Sequence, residues 1–243
     1  DGKGNVSHPK NPTVGMAFWK PGASAPGEPV ERGSEAAANP AVWNRFAHLP
    51  LTRQRTCLPI FKHRESILYA IERNDVVIVV GETGCGKTTQ IPQYLHEAGW
   101  TGSGKCVVCT QPRRLAAVSV AERVAEELGG GEPGAPGGPV GYAVRFDQRG
   151  PADPGALRLK FCTDGLLLRE LLRDPLLGAY SVVMLDEVHE RGAATDLLLG
   201  LLKKILRRRK GTLRVVVASA TVDAEELAAF FRSGGRRRRR RQS

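Results

Sequence analysis

Two stretches of this chain, far apart in sequence, have residue types that could do chemistry together. Gly81-Glu82-Thr83-Gly84-Cys85-Gly86-Lys87-Thr88 has the spacing G-x-x-x-x-G-K-T. Its glycines let backbone N–H groups turn toward one anion, Lys87 can reach the outer phosphates, and the Thr88 hydroxyl can ligate Mg²⁺. Asp186-Glu187-Val188-His189 follows the apolar run Tyr180–Leu185. Two adjacent carboxylates at the end of a buried strand are costly unless a cation or a reaction occupies them. Asp186 is placed to hold Mg²⁺ with Thr88, and Glu187 to take a proton from an attacking water. The pair reads as the site of a nucleoside triphosphatase. The plainer alternatives are a Gly-rich turn for the first stretch and an Asp helix cap for the second, and their joint occurrence opposes both. His189, taken alone, reads as a packed or hydrogen-bonded structural residue.

Such a site needs elements that carry both stretches to one edge. Short apolar runs predict strands over Val76–Val80, Cys106–Thr110, Leu157–Cys162, Ser181–Leu185 and Leu213–Ser219. Helical spacing predicts helices over Pro59–Arg73, from Lys87, over Arg114–Leu128, Gly165–Arg173, Asp196–Arg209 and Ala224–Phe231. This alternation predicts an α/β fold, a parallel sheet with helices on both faces. Gly129–Pro139 is too rich in Gly and Pro for regular structure. No internal repeat is visible.

The flanks differ in character. Residues 1–50 are rich in Pro, Gly, Ala, Ser and Asn and read as a disordered extension. The chain opens on Asp1, and Met16 is the expected initiator. Residues 233–243 hold Arg236–Arg241, which reads either as a nucleic-acid-binding tail or as the product of a truncated gene. Those six arginines leave 11 − 6 = +5 on the rest of the chain, a balance compatible with a polyanionic partner.

Five cysteines in 243 residues, an odd number with one inside the phosphate loop, do not form a disulfide framework and point to an intracellular location. Cys106 and Cys109 form a C-x-x-C, but within a strand they face opposite sides, so they read as core cysteines rather than metal ligands. No apolar run approaches the roughly 20 residues of a membrane helix, and no membrane partner is expected.

With these residues in view, the chain resembles the DEAH-box RNA helicases. Gly81–Thr88, Thr110-Gln111-Pro112-Arg113-Arg114, Thr163-Asp164-Gly165, Asp186–His189 and Ser219-Ala220-Thr221 look like that family's motifs I, Ia, Ib, II and III, in order. Thr89–Gln93, Ser119–Arg123 and His189-Glu190-Arg191 add to the match, which covers roughly residues 51–231. Met16–Gly22 and Gly99-Trp100 bring it nearer to one member. The resemblance implies a RecA-like first ATP-binding domain over residues 51–232, with ATP as nucleotide and Mg²⁺ as metal. Gly81 to Thr89 would cradle the phosphates. Arg123 would stack on the adenine; otherwise it reads as a solvated or salt-bridged helical arginine.

The same resemblance implies that Arg113, Arg114, Thr163 and Asp164 contact single-stranded RNA. Guanidiniums and a loop hydroxyl suit phosphate, although an exposed Arg pair is also ordinary surface. Ser219 and Thr221 would link to His189 and couple nucleotide state to RNA grip; their plainer role is to cap Ala224–Phe231. The family has Ala where this chain has Val188, and packing strain rather than lost chemistry is expected there. After Arg191 the chain runs Gly192-Ala193-Ala194-Thr195-Asp196, more flexible than the bulkier residues usual in the family, and the Gly129–Pro139 loop also diverges. Motifs IV to VI, which lie in a second RecA-like domain and supply arginine fingers, are absent from these residues. The expected function is ATP hydrolysis coupled to RNA unwinding, with this chain as one motor domain. A nuclear, spliceosomal setting follows only from the resemblance. The rivals are a nucleotide- and RNA-binding module without effective catalysis, and a DNA-directed P-loop ATPase.

Overall fold

The computed structural model describes residues 49–221 and 224–232. The expectations for the N-terminal extension, for Met16 and for the Arg tail lie outside the described residues. Among the described residues seven strands form one sheet: β1 (Val76–Val80), β2 (Cys106–Gln111), β3 (Val140–Val144), β4 (Asp147–Arg149), β5 (Leu159–Thr163), β6 (Tyr180–Leu185) and β7 (Arg214–Ser219). Their spatial order is β1-β7-β6-β2-β5-β3-β4. All pairs are parallel except the terminal hairpin β3–β4. Seven α-helices of the described residues accompany the sheet: α1 (Leu51–Cys57), α2 (Arg64–Arg73), α3 (Lys87–Glu97), α4 (Arg114–Glu127), α5 (Asp164–Arg173), α6 (Ala193–Arg208) and α7 (Ala224–Arg232). The architecture is the expected parallel sheet of a RecA-like P-loop domain with helices on both faces.

The strand period of two splits the core into two clusters. On one face Val107, Cys109, Val182, Met184 and Val216 pack against α2, α3 and α4. On the other, Cys106, Val108, Val183, Val215 and Val217 pack against α5 and α6, with Leu227 and Phe231 of α7 at its margin. Strands buried on both faces read as unbroken apolar runs, which is why β6 and β7 are legible in the sequence. The C-x-x-C pair is divided between the two clusters, and burial pushes the Cys106 thiol up to about 12. Two buried thiols that face opposite sides of the sheet cannot converge on one ion.

Two departures from the sequence reading have physical causes. The expected helix over Pro59–Arg73 begins as a 3-10 turn, Pro59–His63, and becomes α-helical only at Arg64. The hairpin β3–β4 is not among the strands expected from the sequence, and Gly141 sits within its first strand. In the structure a Cβ at Gly141 would stand 2.7 Å from the Arg149 carbonyl and 2.9 Å from a Leu157 methyl. The glycine is there for close backbone approach, not for a turn. Gly141→Ala is expected to destabilise the chain by about 1–3 kcal/mol, the cost of overpacking. A denaturant midpoint equal to the parent's would refute this account of the hairpin.

Among the described residues no helix is long and apolar enough to cross a membrane.

Candidate active site

The strand order brings the chemistry together. β1, which leads into the phosphate loop, lies beside β7, and β7 lies beside β6, which ends at Asp186. Ligands of open parallel sheets bind at the carboxyl ends of strands, and five of the expected motifs end up along this edge. The Gly81 N–H donates to the Ser219 carbonyl (3.1 Å), so the phosphate loop starts from the end of β7.

Within the loop, Gly86 has φ +101° and precedes the first turn of α3. A Cβ there would lie 3.0 Å from Leu58 and 3.1 Å from Ile60, while the Ile60 N–H donates to the Cys85 carbonyl (3.2 Å). The segment just before α2 thus closes on the loop from outside. Glu82, Thr83 and Gly84 are exposed; Cys85, Thr88 and Thr89 are half-buried. The Thr89 hydroxyl donates to the Gly86 carbonyl (3.4 Å). Lys87 is buried, and its Nζ donates to the carbonyls of Gly81 (2.6 Å) and Glu82 (2.9 Å). That places a cation against the backbone of the loop, where it can meet an anion.

Asp186 is 1% exposed, yet it is well partnered. The Thr88 hydroxyl donates to its Oδ2, and the Gln111 amide donates to the same oxygen (2.8 Å). Its Oδ1 accepts from the Glu187 N–H (2.9 Å). A hydroxyl and a carboxylate converging in this way suit a hard divalent cation, which prefers oxygen ligands. Gln111 was not given a role from the sequence; a polar residue ending an otherwise apolar strand beside two acids was the available signal.

Glu187 has a left-handed backbone (φ 50°). Partial burial, and then the Asp186 charge, raise its pKa above the ordinary glutamate range; His189 and Lys87 pull the other way. A base with a raised pKa is the better proton acceptor near neutral pH. The His189 Nδ1 accepts from the Ala220 N–H (3.3 Å), which assigns the ring proton to Nε2. The same Nδ1 lies 3.4 Å from Glu187 Oε2, a contact that becomes an ion pair only when the ring is protonated. Ser219 and Thr221 bond to each other, through the Ser219 hydroxyl and the Thr221 backbone (3.0 and 3.3 Å). The contact between this loop and His189 therefore runs through the Ala220 backbone, not through a hydroxyl. Val188 is 1% exposed and packs in the core beneath, so its larger side chain is accommodated there. The left-handed residues are its neighbours Glu187 and Arg191.

The residues expected at RNA divide. Arg113 caps α4 and Arg114 opens it, both exposed at the carboxyl edge of the sheet. Thr163 is half-buried at the end of β5. Asp164, by contrast, is 4% exposed, and its Oδ2 accepts from the Thr195 hydroxyl (2.5 Å). Its carboxylate is turned into the fold, away from the edge where Arg113 lies, and an anion has no attraction for phosphate.

Arg123 donates to Glu127 (2.7 Å) and to Gln54 (3.1 Å). The Glu127 side chain is only 3% exposed and also accepts from Gln90 and Gln93 of α3, both at 2.7 Å. Arg55 of α1 lies 3.8 Å from it and donates to Gln90 (2.9 Å). One buried carboxylate thus joins α1, the phosphate-loop helix and Arg123. The i, i+4 spacing of Arg123 and Glu127 was readable; the burial that makes Glu127 a hub was not. Glu127→Ala would remove the acceptor that Arg123, Gln90 and Gln93 share. It is expected to cost about 3 kcal/mol, the low end for a broken buried pair because Arg123 is partly exposed. Equilibrium unfolding measures this, and a loss below about 1 kcal/mol, the range of a surface pair, would rule out the hub.

The model of the AAA domain matches residues 71–227. "Probable ATP-dependent RNA helicase DHX35" of Homo sapiens is 53% identical over 211 residues, covering 85% of this chain and 29% of the relative. Its Caenorhabditis elegans homolog is 52% identical over 190 residues, 78% of this chain and 24% of the relative. "Pre-mRNA-splicing factor ATP-dependent RNA helicase DEAH10" of Arabidopsis thaliana is 50% identical over 159 residues, 65% of this chain and 21% of the relative. The chain therefore spans less than a third of the length of each of these relatives, and the member of the family that Met16–Gly22 and Gly99-Trp100 resemble is this same DEAH-box helicase 35. With a RecA-like sheet, a phosphate loop and Asp186–His189 on one edge, and relatives that share half its residues, this chain belongs to the DEAH-box RNA helicases.

Proposed function

We propose that this chain binds ATP with Mg²⁺, and that within a protein carrying a second RecA-like domain it drives ATP-dependent RNA unwinding or remodelling. The observation that carries this reading is the convergence of the Thr88 hydroxyl and the Gln111 amide on one oxygen of buried Asp186, one strand removed from the Lys87 loop. Thr88 and Asp186 would hold Mg²⁺, which when bound neutralises charge on the transferred phosphoryl group. Lys87 and the N–H groups of the Gly81–Gly86 loop bind and orient the β- and γ-phosphates. Glu187 accepts the proton of the attacking water as the new P–O bond forms and the bond to the ADP oxygen breaks. Lys87 offsets charge on the departing phosphate. Arg123, braced by Glu127, lies where α4 borders the phosphate-loop helix and is assigned to the adenine.

Arg113, Arg114 and Thr163 form the RNA edge. Sequence-independent contact to the backbone of a single strand is the mode their chemistry supports. Asp164 enters this reading as a support behind the edge rather than as a contact. The name of the Arabidopsis thaliana relative, a pre-mRNA-splicing factor, favours a nuclear, pre-mRNA-splicing setting with spliceosomal partners. Absence of an arginine finger costs P-loop enzymes about 10³–10⁵-fold in rate, so the chain by itself is expected to bind nucleotide and turn over little of it.

The test compares this chain with a longer protein that includes the second domain, measuring ATP hydrolysis with single-stranded RNA, with DNA and with neither. Stimulation of the longer protein by RNA above DNA is expected. Equal stimulation by DNA would favour a DNA-directed ATPase, and full-rate RNA-stimulated hydrolysis by the chain alone would refute the need for a second domain.

A further inference from the structure

The segment from Glu187 to Thr195 touches the catalytic acids at one end and both candidate RNA motifs along its length. Its middle is a short 3-10 turn, Val188–Glu190, bounded by the left-handed residues Glu187 (φ 50°) and Arg191 (φ 51°). The Glu190 N–H closes this turn on the Glu187 carbonyl (2.9 Å). The far end is pinned, because Thr195 and Asp164 are both buried and share a 2.5 Å hydrogen bond. Between the two ends, the Glu190 carboxylate reaches out to the Arg113 guanidinium (3.1 Å). The Arg113 side chain is 76% exposed and that of Glu190 35%. Among the described residues Glu190 is the carboxylate within ion-pair reach of Arg113.

A carboxylate and a phosphate present the same kind of oxygens to a guanidinium. An ion pair this exposed is worth no more than about a fivefold shift in equilibrium, so a polyanion that also releases counterions can displace it. We propose that Glu190 holds Arg113 as a placeholder for an RNA phosphate, and that its displacement by RNA is passed to Glu187 through the turn it closes. This rests on the RNA reading of Arg113 given above. Left-handed backbone at two non-glycine residues is held only against a cost, so a turn that loses its outer anchor has somewhere to relax. The Thr195–Asp164 bond keeps the other end still, so that movement is directed toward Glu187. Glu190 is thus a positioning residue that acts through the turn.

The test uses the 243-residue chain and a short fluorescein-labelled oligouridylate, followed by anisotropy at low salt. Glu190→Gln removes the competing charge but keeps the shape, and is expected to bind the oligomer about two- to fivefold tighter. Glu190→Asp should stay near the parent. Unchanged or weaker binding by Glu190→Gln overturns the placeholder. For the relay, ADP with Mg²⁺ is titrated with and without saturating oligomer. In the parent the oligomer changes the ADP dissociation constant, and in Glu190→Gln that ratio falls toward one. A ratio retained in the variant, or no ratio to begin with, overturns the relay. Arg113→Gln separates the two readings. If it leaves oligomer affinity unchanged, the RNA role of Arg113 is wrong. If it weakens binding while Glu190→Gln changes nothing, the RNA edge stands and the placeholder falls.

Discussion

Glu187→Gln is expected to lower ATP hydrolysis by about 10²–10⁴-fold, the usual contribution of a positioned general base, while nucleotide affinity stays close to the parent's. The carboxyl is partly buried beside the Asp186 charge, which raises its pKa, and it is not among the groups that hold Asp186 or Lys87. Removing its charge therefore takes away a proton acceptor and little else. The raised pKa carries two further consequences. The base is lost as pH falls through that raised value, so the acid limb of the rate should lie above the ordinary glutamate range. For stability, a carboxyl held protonated to higher pH favours the fold below its unfolded pKa. That contribution disappears as pH rises through the folded value, so the ionised form is a burden at neutral pH. The glutamine variant should then melt at or above the parent temperature. Single-turnover hydrolysis with protein in excess, fluorescent-nucleotide binding and a melting curve check the three parts. A variant that is slow because it is unfolded, or because it no longer binds nucleotide, would remove Glu187 from the role of base.

Lys87→Ala should raise the dissociation constants for ADP and ATP by about 10–150-fold, the equivalent of one lost hydrogen bond to a charged group. Lys87 is 4% exposed, and its ammonium is already set against the backbone of the loop by the Gly81 and Glu82 carbonyls. Its side chain needs little reordering before it meets a phosphate. The substitution also leaves those two carbonyls without their donor, so a modest drop in melting temperature should accompany the weaker binding. Lys87→Arg is not a rescue, since the planar guanidinium cannot take the place of a compact ammonium. Calorimetric titration with ADP and Mg²⁺ measures the effect, and affinity within about threefold of the parent would mean that the backbone cradle alone carries binding.

Much of the active site was legible because its parts are local. In the phosphate loop the glycines, Lys87 and Thr88 lie in eight consecutive residues, and a strand and a helix are required on either side. Asp186 and Glu187 stand out because an apolar run ends on them. The groups that were missed all depend on partners remote in sequence. Gln111 matters because β2 lies beside β6, and Glu127 because α1 and α3 converge on it. Ala220 meets His189 with a backbone N–H, which no residue type announces. Asp164 was placed at the RNA edge by its motif, and packing against Thr195 turned its carboxylate inward. The hairpin β3–β4 depends on Gly141, where a neighbouring carbonyl leaves no room for a side chain, a closeness that only the assembled sheet creates.

By itself, then, the sequence determined which functional groups are present and what local backbone carries them. Both follow from contiguous spacing and from the period of apolar residues. The tertiary structure decided which of those groups meet. Placing β7 between β1 and β6 set Thr88 against Asp186 across 98 residues of chain, and burial chose which carboxylates face water and which face another helix. Burial and cross-chain geometry are properties of packing, so they appear only when the sheet is assembled.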